Sequence, residues 1–168
     1  MDTLAPVLVL GLDSVVLECG SPLPVNLPAY ADACDPMVNV LELMPDSMPG
    51  ACPGEYTVTR HFEATDACGN ASMTSQTVTF IDTVAPEFDF VPGPVTIQCD
   101  ESLPTDLPTA LDDCSGPVSI VLLSVDSVQG ACPQAWEVTR TFLATDACGN
   151  EQQATQMVTI EDMTAPEI

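Results

Sequence analysis

The chain has 168 residues, 46% of them hydrophobic, and sets 25 acidic side chains against two arginines and one histidine, a formal net charge of -23. Such a surface repels phosphate backbones and anionic lipid, which excludes nucleic-acid partners, and it attracts metal cations. The apolar content excludes a disordered acidic tail, and no run approaches the ~20 apolar residues of a membrane helix, so no membrane insertion is expected in this segment.

Residues 57–70, TVTRHFEATDACGN, return as residues 137–150, EVTRTFLATDACGN, 80 positions later with eleven of fourteen identical. The same shift carries Cys19 onto Cys99, Cys34 onto Cys114, Cys52 onto Cys132 and Cys68 onto Cys148. This is a tandem repeat, and it predicts domains at 1–81 and 82–161, with 162–168 the start of a further copy and the chain an excerpt of a longer array.

Each repeat opens on Asp-Thr-x-Ala-Pro, at Asp2 and again at Asp82, where proline fixes φ and holds the preceding residue extended, a short stiff linker. Residues 7–10 and 15–19 (88–91 and 95–99 in the second copy) then read as one kinked edge strand. Residues 21–33 carry Pro22, Pro24 and Pro28, which confines them to an edge or a polyproline ribbon. Residues 38–44 and 118–125 form the next strand, and residues 45–54 a loop holding Cys52. In residues 56–65 Tyr56, Val58, Arg60, Phe62 and Ala64 alternate onto one face, the pattern of a half-buried strand. Asp-Ala-Cys-Gly-Asn supplies turn chemistry, and residues 75–81 return as the second arm of a long hairpin. The predicted fold is all-β: two disulfide-stapled, immunoglobulin-like antiparallel sandwiches in tandem.

Domains this small need a staple, and an even, repeated set of cysteines without CxxC spacing reads as disulfides formed outside the cytosol, extracellular or on a cell surface. Counting strand passes places Cys34 with Cys68 at one pole and Cys19 with Cys52 at the other. The predicted pairs are therefore Cys19–Cys52, Cys34–Cys68, Cys99–Cys132 and Cys114–Cys148, with sequential pairing such as Cys19–Cys34 the alternative.

The Asp-Thr-x-Ala-Pro opening, the Asp-Ala-Cys at residues 32–34 and the Thr-Arg-x-Phe-x-Ala-Thr-Asp-Ala-Cys-Gly-Asn hairpin resemble hyalin-type repeats, found in tandem in large secreted or surface adhesins of Bacteroidota. The resemblance covers the whole chain. It implies an immunoglobulin-like extracellular module without enzymatic activity, used for adhesion or as a spacer. The extra cysteines and the scarcity of basic residues depart from the common pattern of that family.

The strand count gathers Asp2, Asp32, Asp35, Asp66 and Asn70 at the opening pole of the first repeat, and Asp82, Asp112, Asp113, Asp146 and Asn150 at that of the second, with Asp162 opening the next. Hard oxygen donors brought together are what Ca2+ takes, so a calcium clamp at each domain junction is the sharp expectation. The bland one is that these side chains only cap turns. Arg60 and Arg140, on the inward row, need buried partners; Asp46 and Asp126 are the predicted ion-pair acids, the alternative being an arginine that grips an anionic ligand. Thr3, Ser14, Ser47, Thr83 and Ser127 each follow an aspartate and precede an aliphatic residue or methionine, which resembles the O-glycosylation acceptor of Bacteroidota; Asp-Ser and Asp-Thr are also ordinary turn pairs. His61 is replaced by Thr141 in the second copy, and no nucleophile elbow or phosphate loop is present, so no enzyme is expected.

The functional expectation is a structural segment of a surface adhesin, stalk or filament. Its partners are neighbouring repeats of the same chain, with identical chains in a fibre as a further possibility. The rival is a recognition module in which residues 45–54 or 125–134 bind glycan or protein.

Overall fold

In a computed structural model that describes residues 2–114 and 116–164, every regular element is a strand. The chain divides into two compact units, Met1–Asp82 and Thr83–Ile168. Residues 165–168, which the sequence assigns to the start of a further repeat, lie outside the described residues.

The first unit contains β1 (Val7–Leu10), β2 (Val15–Glu18), β3 (Ala29–Ala31), β4 (Asn39–Glu42), β5 (Asp46–Pro49), β6 (Tyr56–Thr65) and β7 (Ala71–Ile81). Its larger sheet runs β2-β7-β6-β4, with β5 also on β6, and β1 pairs β3 in a smaller one. The second unit contains β8 (Glu87–Phe90), β9 (Val95–Gln98), β10 (Thr109–Leu111), β11 (Ser119–Gln129), β12 (Trp136–Thr145) and β13 (Glu151–Glu161), in a sheet β11-β12-β13-β9 and a pair β8-β10. The class is the predicted one, all-β and of immunoglobulin-like two-sheet type.

The hairpin that organises the sequence also organises the fold. In β6 the residues Val58, Arg60, Phe62 and Ala64 are buried, and in β12 Val138, Arg140, Phe142 and Ala144, so the period-two alternation lands on the core face as written. Val58, Val78 and Phe80 form the centre of the first core, flanked by Leu17 and by Tyr56, whose ring stacks on Phe80 at 4.4 Å. Ile97, Val138 and Val158 are its counterpart. At the hairpin turns Gly69 and Gly149 have φ of 88° and 92°, a left-handed geometry that a side chain resists.

Three expectations need correction. The kinked edge strand is two strands in different sheets: β1 joins β3, whereas β2 crosses over to lie parallel to β7, and β9 likewise lies parallel to β13. Gly11 and the three residues after it free the chain to switch layers, so the larger sheet is not purely antiparallel. Residues 46–49, expected in a loop, form β5 on the edge of β6, because Asp46, Ser47 and Met48 find open backbone partners there. In the second unit β11 runs unbroken to Gln129 with one bulge, taking residues 125–129 out of the predicted loop. Proline explains the difference between copies. Pro45 separates β4 from β5, and its counterpart is Val125.

Candidate functional site

Two constellations recur in both units: a buried arginine hub inside the sheet and an acidic cysteine-bearing pole at the hairpin turn.

The hub begins with an arginine on the core face of a strand, where a cation must be paired. Arg60 is 2% exposed, and its fork grips Glu42, Nε donating to Oε1 at 2.7 Å and NH2 to Oε2 at 2.9 Å. NH1 donates to Gln76 Oε1 at 2.7 Å, and NH2 reaches the Asn26 carbonyl in the proline-rich segment at 3.2 Å. Gln76 in turn donates to the Asp13 carbonyl at 2.8 Å, and the guanidinium stands 4.8 Å over the Phe62 ring. Arg60 and Gln76 together thus tie β6, β7 and β4 to the irregular segments at Asn26 and Asp13. The hydrogen bond from Arg60 holds the Glu42 carboxyl below its usual range.

Arg140 repeats this 80 residues on, with bonds to Gln156 (2.6 Å) and to the Asp106 carbonyl (3.2 Å), while Gln156 donates to the Gly93 carbonyl and Phe142 lies under the guanidinium at 4.9 Å. The carboxylate is the missing part. Leu122 stands where Glu42 stands, and among the described residues no carboxylate lies within ion-pair distance of Arg140. The predicted acids are corrected accordingly. Asp46 is spent on His61 Nε2 at 2.9 Å, and Asp126 accepts a bond from the Ser124 hydroxyl at 2.8 Å, both on the exposed side of their strands and across the sheet from the guanidinium.

At the opening pole of the first unit, the oxygens of Asp2 and Asp32 and the sulfur of Cys34 lie within 4.8 Å of one another. In the second, Asp112 and Asp146 come equally close. Much of this carboxylate capacity is already used by turns. Asp32 Oδ1 accepts from the amides of Cys34 and Asp35, Asp35 from those of Met37 and Ala67, and Asp2 from that of Leu4. Asp66 commits both oxygens, Oδ1 to the Cys68 and Asn70 amides and Oδ2 to Asn70 Nδ2; Asp146 does the same with Cys148 and Asn150. Asn70 also reaches the Asp2 carbonyl at 3.4 Å, and Asp112 caps the Cys114 amide. Asp82 is buried, Asp113 is exposed, and Asp162, exposed, bonds Thr164. As a cation cradle the pole of the first unit fits in part: Asp2 and Asp32 each keep an oxygen clear of these turn bonds, but Cys34 is a soft donor that Ca2+ does not favour.

The side-chain bond from Asn70 holds Asp66 below the ordinary aspartate range against its burial; burial also opposes the shift at Asp146, where bonds from Asn150, Cys148 and Gly149 prevail. A carboxylate whose folded pKa is depressed contributes stability that is complete above the unfolded value and is lost as pH falls through the folded one. The midpoint of thermal unfolding is therefore expected to drop on acidification below the normal aspartate range. In Asp66→Asn it should start lower at neutral pH and fall less steeply.

Four cysteines, Cys19, Cys52, Cys114 and Cys148, are in disulfide linkage. Cys34, Cys68, Cys99 and Cys132 are exposed thiols, so where the sequence predicts four bonds the structure holds two. The four thiols sit on turns rather than in the core, and the Asp2 carboxylate, with burial and Asp32 adding to it, pushes the Cys34 thiol up from its ordinary value. The acceptor residues Thr3, Ser14, Ser47, Thr83 and Ser127 are all exposed, Ser47 and Ser127 on strands rather than in the loops expected.

Sequence reasoning missed Glu42, Gln76 and Gln156. Both glutamines fall on the inward row of a repeated strand, which was a usable signal. Glu42 carried none, since it has no acidic counterpart in the second copy.

No protein-family model matches the sequence, and no curated protein matches it. Among solved structures, the chain is similar to Drosophila N-cadherin EC1-4, at 12% identity and TM-score 0.43 over 94% of this chain and 50% of that one. It is similar to the protocadherin GammaB4 extracellular domain at 14% and 0.42, over 94% and 34%, and to human protocadherin-24 EC1-2 at 13% and 0.42, over 98% and 100%. The chain thus spans about half and a third of the first two. Likeness at this level assigns neither family nor function. The class that the fold itself defines is a tandem all-β repeat protein.

Proposed function

We propose that this chain is a load-bearing structural segment of an extracellular adhesin, stalk or filament of the hyalin-repeat kind. The observation that carries the reading is the parallel pairing of β2 with β7 and of β9 with β13. Within each unit these strands lie near opposite ends of the chain, so tension applied at the termini pulls them along their length in opposite directions. The four register pairs of each ladder are then loaded in shear together rather than peeled one by one. The duplicated hub supports the same reading, because it copies internal architecture without adding a distinguishing surface. The recognition alternative loses ground, since part of each candidate binding loop is strand.

Two features would reinforce such a segment outside the cell. The four thiols, Cys34, Cys68, Cys99 and Cys132, each have a repeat counterpart in disulfide linkage, Cys114, Cys148, Cys19 and Cys52, which supports reading all eight cysteines as bonded in the oxidised segment. Ca2+ held through Asp2 and Asp32, and through Asp112 and Asp146, would draw together carboxylates that otherwise repel. Thermal unfolding of the oxidised chain in Ca2+ and in chelator at matched ionic strength tests the ion: a midpoint raised by several degrees is expected, and an unchanged midpoint removes it.

A further inference from the structure

We propose that β11 is a docking edge for a second copy of this chain, which adds its own β11 antiparallel to form a closed two-fold dimer through the second unit alone. β11 ends its sheet, and among the described residues only β12 pairs with it. An edge strand leaves a row of backbone N–H and C=O groups without partners, and proteins normally blunt such edges with proline, charge or a break. The first unit does this: Pro45 interrupts the equivalent strand, Pro49 ends β5, and Glu42 and Asp46 lie along it. The second unit removes each device but one. Leu122, Val125 and Gln129 replace Glu42, Pro45 and Pro49, leaving an 11-residue strand, SIVLLSVDSVQ, with Asp126 its single charge.

Nine of the eleven residues are exposed, and neither face is buried: Val121 (48%), Leu122 (42%) and Leu123 (50%) are consecutive, and Val125 and Val128 follow at 47% and 69%. Consecutive exposed apolar residues mean that both sides of the strand overhang the core, which is the shape an added strand would cover.

Charge selects the occupant. A cationic partner would find stronger sites almost anywhere else on a chain with 25 acidic residues, and gains least at a stretch with one. A near-neutral apolar strand suits another of its kind. A register centred on Val125, on the side of the bulge that runs from Ser124 to Gln129, sets Ser124 opposite Asp126 twice, so no two carboxylates face each other; Asp126 already accepts from a serine hydroxyl within its own strand. Because the arrangement is isologous and uses β11 alone, this contact closes at two chains.

One strand edge is a small interface working against the repulsion of two chains of charge -23, so a dissociation constant between about 1 µM and 1 mM is expected, tightening as salt screens that repulsion. The test is sedimentation equilibrium of the whole oxidised chain, any remaining thiol capped with iodoacetamide, at low and high NaCl. Val125→Asp and, separately, Val128→Asp should each weaken dimerisation at least tenfold, with circular dichroism confirming the fold. Val9→Asp, which adds the same charge at an exposed residue of β1, should leave it unchanged. A chain that stays monomeric to about 1 mM in high salt overturns the proposal. So does dimerisation that survives both edge variants, or that Val9→Asp abolishes equally.

Discussion

Replacing Glu42 with alanine is expected to destabilise the first unit by about 2–3 kcal/mol, read from the denaturation midpoint and an unchanged m-value. Arg60 cannot leave the core face, so the variant strands a guanidinium that is 2% exposed without its carboxylate. The cost stays below that of a fully buried pair because Glu42 is itself 36% exposed and water can partly replace it. The converse experiment is built into the sequence. Leu122→Glu places a carboxylate beside Arg140 at the position Glu42 holds, and should stabilise the second unit by about 1 kcal/mol, charge-assisted hydrogen bonds outweighing the loss of a half-exposed leucine. If Glu42→Ala leaves stability unchanged, Arg60 is satisfied by Gln76 and the Asn26 carbonyl alone.

Phe142→Ala carries the largest expected effect, a loss of about 3–5 kcal/mol confined to the second unit. The ring is fully buried and forms the platform beneath the Arg140 guanidinium, so its removal opens a cavity and takes away the cation's aromatic contact together. Hydrogen exchange resolved by peptide is the measurement: amides of β12 and β13 should lose protection while those of β6 and β7 keep theirs. Loss of protection in both units would show that the two compact units do not unfold independently.

The hairpins, the inward arginines and the proline-rich edge were legible because each rests on a local rule: period-two alternation, turn residues at fixed offsets, and a backbone donor that proline lacks. What was not legible depends on long-range placement. β2 and β7 are some 60 residues apart, and nothing in residues 15–18 tells a kinked continuation of β1 from a strand that changes sheets. β5 was hidden by its flanking prolines, although an edge strand tolerates them. Asp46 and Asp126 are acids present in both copies, whereas the partner of Arg60 is Glu42, at a position the copies do not share, since Leu122 stands there in the second. At the acidic pole the residues were found, but their bonds to backbone amides, which make most of them turn caps first, follow only from the observed loop geometry.

The most direct test of a load-bearing role is to stretch the intact oxidised chain by its termini in a single-molecule force experiment. Two discrete unfolding events of similar length per molecule are expected, each releasing more chain after reduction of the disulfides, because each unit resists through its own parallel strand pair. Smooth extension without discrete events, or one event releasing both units together, would contradict the account.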